Sequence, residues 1–222
     1  KEHLTALSER VTKEKADFGI VVDPDVDRLA FVDENGAVFG EEYTLVACSD
    51  YVLSKTPGNT VSNLSSTQAL SLITFQRGGT HYASAVGEVN VVDKMKKVKA
   101  VIGGEGNGGI IYPDLHYGRD ALVGVALFLS LLMEKNQKVS VLRASYPDFA
   151  MSKAKISLSK EMDVDSIFKK IERKFSKNNI ITIDGVKISF ESSWVHLRKS
   201  NTEAIIRVYT EAKSQLEADE LA

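Results

Sequence analysis

The chain is poor in the features that mark several large classes of protein. Cys48 is its single cysteine, which excludes a disulfide within the chain and leaves no thiolate cluster for a metal. A net charge of −2 provides no polybasic surface for nucleic acid or for a membrane. No apolar run approaches the roughly 20 residues that span a bilayer. We therefore expect a cytoplasmic protein with neither nucleic-acid nor membrane partners.

The N-terminus, Lys-Glu-His-Leu, also lacks the features of a natural start. It has no initiator methionine, no apolar signal region and no transit-like composition, so we expect a fragment of a longer polypeptide. Hydrophobic residues make up 43% and charged residues 26%, which is ordinary for globular proteins. The 222 residues are enough for two small domains.

Hydrophobic periodicity predicts an α/β layer domain with a largely parallel sheet, followed by a small α+β domain. The first part has predicted helices at 1–14, 41–55, 66–76, 89–97 and 119–134 and strands at 16–23, 29–33, 60–63, 80–85, 100–103 and 109–112. The second part has a predicted helix at 163–176, strands at 151–158, 179–183, 186–191, 193–198 and 204–210, and a helical end at 213–222. The boundary is expected near 145–149.

Asp23, Asp25 and Asp27 alternate along the loop between the first two predicted strands. Three neighbouring carboxylates repel one another, and a bridging cation with a preference for hard oxygens, Mg²⁺ or Ca²⁺, removes that cost. A solvated strand face is disfavoured because Pro24 cannot donate to a ladder and Arg28 breaks the alternation. The loop therefore predicts a Mg²⁺ site, with Arg28 placed to contact a phosphate.

A calcium EF-hand is the main alternative interpretation of this loop, and a plain surface loop is the other. The three aspartates and Glu34 fall at positions 1, 3, 5 and 12 of such a loop. Two features oppose it: Arg28 occupies position 6, where the sharp turn needs glycine, and the predicted flanks are strands rather than helices.

Two further loops have compositions that suit ligands. Residues 103–109, Gly-Gly-Glu-Gly-Asn-Gly-Gly, follow a predicted strand, and their glycines allow a ligand to approach the backbone closely. They match neither a Walker loop nor a Rossmann fingerprint. Glu105 and Asn107 offer paired hydrogen bonds for sugar hydroxyls, although a flexible turn with incidental polar residues is equally consistent with the pattern.

The second loop lies between two predicted strands and suits a phosphate dianion. Its candidate ligands are Arg198, Ser200, Asn201 and Thr202. Arg207, on the following strand, can add a second guanidinium. A polar hairpin turn is the alternative for the loop taken alone.

In this order, the three loops resemble motifs of the α-D-phosphohexomutase superfamily. Residues 23–28 are similar to its Asp-Gly-Asp-x-Asp-Arg metal loop, residues 104–108 to its Gly-Glu-x-Ser-Gly sugar loop, and residues 198–202 to its Arg-x-Ser-Gly/Asn-Thr phosphate loop. The resemblance covers essentially the whole chain. It implies three successive pieces: the end of the family's second domain at 1–42, its third domain at 43–147 and its fourth at 148–222.

The resemblance also implies an activity. The family moves a phosphoryl group between the 1 and 6 positions of a hexose through a phosphoserine and a bisphosphate intermediate. Asp23, Asp25 and Asp27 would then ligate Mg²⁺, and Arg28 would act on the transferring phosphoryl group. Glu105 and Asn107 would select sugar hydroxyls, with Glu88 of the Val86-Gly87-Glu88 turn as a further substrate contact. The residues of the 198–202 loop would hold the non-reacting phosphate.

Three departures from the family pattern accompany the resemblance. The phosphoserine and its domain are absent, so the partner is expected to be the N-terminal domains of the same polypeptide, and the chain alone is expected to be inactive. Gly109 stands where many members have a histidine, and His116 is a candidate substitute. Asn107 replaces the usual serine. Residues 86–91 and 116–120 favour a phosphoglucosamine mutase. The alternatives are a dual-specificity phosphomannomutase/phosphoglucomutase and a non-catalytic phosphosugar-binding module.

Overall fold

The computed structural model of the protein describes residues 4–159, 162–200 and 202–222. The chain divides after Pro147 into a first unit and a second unit. Within the described residues, no helix combines the length and the apolarity needed to cross a bilayer.

The first unit alternates strands and helices along almost its whole length. Its elements are α1 (Thr5–Glu14), β1 (Phe18–Val22), β2 (Leu29–Asp33), α2 (Glu41–Lys55), β3 (Asn59–Asn63), α3 (Ala69–Gln76), β4 (His81–Ser84), α4 (Glu88–Val98), β5 (Ala100–Glu105), β6 (Gly109–Ile111), α5 (Ala121–Lys135) and α6 (Val139–Ala144). The short helix α6 was not among the predicted elements.

The sheets confirm the predicted α/β class. β1 and β2 form an antiparallel pair, and the larger sheet has the order β4-β3-β5-β6. β3 runs parallel to both β4 and β5, whereas β6 is antiparallel to β5. The predicted strand at 100–103 extends to Glu105, because Glu105 pairs with Gly109 across the hairpin. Glu105 therefore ends a strand, and the glycine turn is confined to residues 106–108.

Helix α5 begins two residues later than predicted because Asp120 caps it. The Asp120 carboxylate accepts hydrogen bonds from the backbone N–H groups of Leu122 and Val123, at 2.8 and 3.1 Å. Such a cap satisfies amide groups that have no partner within the helix. Arg119 is consequently left outside the helix, in the connection that leads to it.

Four phenylalanines join the β1–β2 pair to helix α5. Phe31 and Phe128 stack with centroids 3.8 Å apart and planes inclined by 15°. Phe39 meets Phe128 edge-on at 5.1 Å, and Phe18 lies 6.4 Å from both Phe31 and Phe128. Aromatic pairs of this kind contribute about 0.5–1.5 kcal/mol each beyond the apolar area that they bury. We call this group the phenylalanine cluster.

The described residues of the second unit form a five-stranded antiparallel sheet with two helices, which confirms the predicted α+β pattern. Its elements are β7 (Ala150–Ser157), α7 (Val164–Lys174), β8 (Asn179–Ile181), β9 (Val186–Ser189), β10 (Trp194–Lys199), β11 (Ile205–Ala212) and α8 (Gln215–Leu221), with strand order β7-β11-β10-β9-β8. Val164 and Phe168 of α7 pack on the apolar face of the sheet, which includes Val186, Val195 and Val208.

Candidate functional site

The three aspartates between β1 and β2 converge. Each offers one carboxylate oxygen, and these oxygens all lie within 4.8 Å of one another. Asp23 organises the loop, because its Oδ1 accepts hydrogen bonds from the backbone N–H groups of Asp27 and Arg28 at 3.1 and 3.0 Å. Val26 has a φ of 57°, a left-handed conformation that costs a β-branched residue about 1–2 kcal/mol. The contacts around the loop must therefore hold its shape.

The carboxylate pKa is shifted in opposite directions at the two ends of the loop. Burial raises the pKa of Asp27, and the adjacent Asp23 carboxylate raises it further. For Asp23, burial acts in the same direction but is outweighed by the donors around it, above all the Arg28 N–H, so its pKa lies below the ordinary value. Arg28 Nε lies 3.6 Å from an oxygen of each of these aspartates.

The donor set suits a hard divalent cation. Asp27 Oδ1 is buried and has no hydrogen-bond partner among the described residues. Its charged neighbour Arg28 Nε lies at 3.6 Å, which leaves the oxygen without a hydrogen bond, and a desolvated carboxylate oxygen of this kind beside two further carboxylates is a suitable ligand for Mg²⁺ or Ca²⁺.

Glu34 does not join the three aspartates, although its spacing matches the last ligand of an EF-hand loop. Its Oε1 accepts a 2.5 Å hydrogen bond from the Ser140 hydroxyl, and its Oε2 accepts one from the Ser140 N–H at 3.2 Å. Two strands flank the acidic loop, whereas helices flank an EF-hand loop. Glu34 thus stabilises the start of α6, and the geometry favours the Mg²⁺-type interpretation.

The glycine turn places Glu105 in a buried network. Glu105 Oε1 accepts hydrogen bonds from Asn63 Nδ2 at 2.8 Å and from the Gly87 N–H at 3.1 Å. Asn107 Oδ1 accepts the N–H of Gly109 at 3.1 Å, so this side chain shapes the turn. Glu105 is fixed in orientation by these hydrogen bonds and is only 5% exposed.

Arg119 joins the acidic loop to the glycine turn, and the sequence patterns did not single it out as a site residue. Its guanidinium forms ion pairs with Asp27 through Nη2, with Glu105 through Nη1 at 2.9 Å, and with Glu88 through Nε at 3.4 Å. The Arg119 N–H also donates to Glu88 Oε1 at 2.9 Å. In the sequence, Arg119 lies within residues 116–120 and beside the helix cap Asp120, and neither feature reveals partners so distant along the chain.

His116 lies at the edge of this group. Its Nε2 is 3.0 Å from Asp120 Oδ2. Burial raises the pKa of Asp120, but the His116 contact and the two capped N–H groups outweigh it and lower that pKa. The imidazole is about half exposed, with 49% of the side chain accessible.

The predicted phosphate residues lie in the second unit. Arg198 and Arg207 are directly opposite each other on β10 and β11. Arg207 pairs with Glu203 at 2.6 Å, whereas Arg198 Nε is buried and has no hydrogen-bond partner in the described part of the chain. Two like charges side by side on a sheet are unfavourable unless an anion compensates them, and Glu203 is such an anion for Arg207.

Ser200 shapes the turn between these strands. Its buried hydroxyl oxygen accepts weak hydrogen bonds from the N–H groups of Thr202 and Glu203, at 3.4 and 3.3 Å. Thr202 is exposed. Asn201, the remaining predicted phosphate residue, lies outside the described residues.

Models of three successive domains of one protein family match the chain. They are phosphoglucomutase/phosphomannomutase alpha/beta/alpha domain II at residues 1–36, alpha/beta/alpha domain III at 40–149 and the C-terminal domain at 150–222.

Individual members of this family are also similar to the chain. The chain is 34% identical to a phosphoglucomutase/phosphomannomutase of Thermococcus kodakarensis, over 99% of this chain and 48% of that protein. It is 32% identical to a phosphoglucosamine/phosphogalactosamine mutase of Sulfurisphaera tokodaii, over 99% of this chain and 50% of that protein. The crystal structure of a phosphoglucomutase/phosphomannomutase family protein from Burkholderia thailandensis superposes with a TM-score of 0.84 at 23% identity, covering 99% of this chain and 48% of that one. The chain thus spans about half the length of the curated relatives it matches.

Proposed function

Because the chain belongs to the phosphoglucomutase/phosphomannomutase family, we propose that it carries the cation, sugar and distal-phosphate elements of a phosphohexomutase. The enzyme interconverts hexose 1-phosphate and hexose 6-phosphate. The observation that carries the proposal is the convergence of three carboxylates, one with a buried oxygen that accepts no hydrogen bond from the described residues, in a loop tied through Arg119 to the predicted sugar-binding turn.

The acidic loop is proposed to hold Mg²⁺ through Asp23, Asp25 and Asp27. When bound there, Mg²⁺ supplies positive charge to the oxygens of a phosphoryl group during its transfer. Arg28 is proposed to add a guanidinium beside the phosphoryl oxygens. Its position next to the cation site supports this, because its Nε lies 3.6 Å from an oxygen of Asp23 and from one of Asp27. Fixed charges that need no rearrangement are an effective way to stabilise such a transfer.

Glu105 and Asn107 are proposed to orient the hexose. Glu105 is held by Asn63, Gly87 and Arg119, so its remaining lone pairs accept hydroxyl hydrogens from one fixed direction. A carboxylate that is fixed in this way discriminates between hydroxyl configurations, because a misplaced hydroxyl leaves a buried acceptor unpaired.

The non-reacting phosphate is proposed to bind the turn between β10 and β11. Arg198 Nε, which has no hydrogen-bond partner among the described residues, supplies a charge-assisted donor, and Ser200, Asn201 and Thr202 supply further polar groups.

The nucleophile is proposed to be a phosphoserine on N-terminal domains of the same polypeptide. The phosphoserine gives its phosphoryl group to a sugar hydroxyl, and the resulting bisphosphate turns around and returns its other phosphoryl group to the serine. We propose that His116 accepts the hydroxyl proton, which its contact with Asp120 at 3.0 Å supports by orienting the imidazole. The preferred substrate is proposed to be glucosamine phosphate, in keeping with the name of the Sulfurisphaera relative, with glucose and mannose phosphates as the alternative.

The test is an assay of the full-length polypeptide with Mg²⁺ and a hexose bisphosphate activator. We expect conversion of glucosamine 1-phosphate to glucosamine 6-phosphate, and a fall on the order of 100-fold for Asp25→Asn because a direct metal ligand is lost. Asp93→Asn, an exposed aspartate on α4, is the matched control and should retain activity. Normal turnover by Asp25→Asn would refute the metal assignment. Binding of hexose phosphates without any turnover would instead support a non-catalytic module.

A further inference from the structure

We propose that Arg119 is a positioning residue that holds Asp27 in its cation-binding orientation and thereby couples cation binding to hexose binding. The proposal rests on the proposed function for the identity of the hexose ligand. The interaction between Arg119 and the cation site, however, can be measured without any turnover.

The two carboxylate oxygens of Asp27 have different surroundings. Oδ2 meets Arg119 Nη2, whereas Oδ1 is buried without a hydrogen-bond partner among the described residues. Carboxylates that ligate metals are commonly held through their other oxygen by a neighbouring donor, which fixes the orientation of the ligating atom. Arg119 provides that donor from a side chain that is only 15% exposed.

The guanidinium of Arg119 also holds Glu105, the predicted sugar-binding residue. Nη1 donates to Glu105 Oε2 at 2.9 Å, and Glu105 Oε1 is held independently by Asn63 and Gly87. Glu105 is therefore the rigid partner, and Arg119 transmits its position to Asp27. A planar guanidinium can make these contacts at fixed angles, whereas an ammonium group cannot.

Glu88 completes the arrangement. It accepts the Arg119 backbone N–H at 2.9 Å and approaches Nε at 3.4 Å, so both the main chain and the side chain of Arg119 are anchored. Three carboxylates surround one guanidinium, and the surplus of negative charge is consistent with a further cation near Asp27.

The direction in which cation affinity changes when Arg119 is removed distinguishes a positioning role from a purely electrostatic one. If Arg119 acted only through its charge, it would repel a divalent cation, and its removal would tighten cation binding. If it positions Asp27, its removal weakens cation binding, and a lysine that keeps the charge but loses the fork does not restore it. Ligand coupling is reciprocal, so a hexose phosphate held through Glu105 should tighten cation binding only when Arg119 is present.

The experiment is a titration of the chain with Mn²⁺, followed by electron paramagnetic resonance, with and without saturating glucosamine 6-phosphate. We expect Arg119→Met and Arg119→Lys to weaken Mn²⁺ binding by roughly tenfold or more, in the range known for residues that orient metal ligands. We also expect both variants to lose the tightening produced by the sugar phosphate.

Arg77→Met is the matched control. Arg77 forms an ion pair with buried Asp50 in the same unit, with 2.8 Å between Nε and Oδ1, and contacts none of the three aspartates. The control should lose thermal stability while keeping its Mn²⁺ affinity, which separates a local role from general destabilisation.

Unchanged or tighter Mn²⁺ binding in Arg119→Met would overturn the proposal, as would full rescue by lysine or the absence of Mn²⁺ binding in the unaltered chain. Failure of the proposed function has a different signature. In that case Mn²⁺ binds and depends on Arg119, but no hexose phosphate is bound by the chain or converted by the full-length polypeptide.

Discussion

The backbone N–H of Leu29 donates a hydrogen bond to the carbonyl of Gly108, with 3.1 Å between the two atoms. Leu29 is the first residue of β2, directly after the acidic loop, and Gly108 closes the turn between β5 and β6. The two loops are therefore joined by main chain as well as through Arg119. Their relative position is set by the fold itself, before any ligand is bound.

Gly108→Ala should destabilise the first unit and loosen this junction. Gly108 has a φ of +86°, and an added Cβ would collide with the Leu29 carbonyl. We expect a loss of about 3 kcal/mol or more, because left-handed strain of about 1–2 kcal/mol adds to the displaced β2 backbone. Chemical denaturation followed by circular dichroism measures the change.

Gly78→Ala separates the two contributions. Gly78 has a similar φ of +77°, but nothing lies within 4 Å of its added Cβ. It should therefore show the conformational cost alone, about 1–2 kcal/mol. Equal losses in the two variants would mean that the contact with Leu29 contributes nothing measurable.

The second unit should lose stability as the pH falls from about 6.5 towards 4. His196 is buried, and burial lowers its pKa to about 4 despite its 2.7 Å hydrogen bond with the Asp184 carbonyl. The unfolded chain takes up this proton below its own pKa of about 6.5, whereas the folded chain does not until the lower value. The full contribution, about 3 kcal/mol, is present above pH 6.5 and is lost by pH 4.

Unfolding of this unit is measured by the fluorescence of Trp194, the single tryptophan, which is buried on β10. His196→Gln removes the titrating group and should flatten the dependence of stability on pH between 4 and 6.5. An equally steep loss in that variant would assign the effect to other groups.

Arg198→Ala should abolish the contribution of the second unit to phosphate binding. Its Nε is a buried donor without a partner in the described residues, so a phosphate gains a charge-assisted hydrogen bond at no cost of breaking another. We expect glucosamine 6-phosphate to bind roughly tenfold more weakly or worse, as measured by isothermal titration calorimetry. Arg173→Ala, on an exposed position of α7, is the control for loss of one positive charge and should bind normally. Equal affinities for all three proteins would refute the phosphate assignment.

Local sequence patterns predicted those elements whose cause is itself local. The strands around the acidic loop follow from apolar runs, and α7 begins where the helix at 163–176 was predicted, because the Asp163 carboxylate caps it by accepting the Ser166 N–H at 3.1 Å. The alternation of Asp23, Asp25 and Asp27 also predicted that the three carboxylates lie together, because residues so close in sequence share one turn.

The features that were missed depend on residues distant in the chain. Helix α6 has six residues and no side-chain cap of its own, and Glu34 supplies the missing acceptor from far upstream. The role of Arg119 depends on Asp27, Glu88 and Glu105, none of which is near it in sequence. The left-handed Val26 is unexpected for a β-branched residue and arises only because the surrounding structure enforces it.

The phenylalanine cluster packs across a boundary between two of the family's domain models. The family models divide the chain between residues 36 and 40, yet Phe31 on one side of that division stacks on Phe128 far beyond it. Amide protons of β2 and α5 should consequently exchange with solvent in a single cooperative opening. A cut at the family boundary would separate the rings that hold the acidic loop against the rest of its unit, so the evolutionary module and the folding module do not coincide.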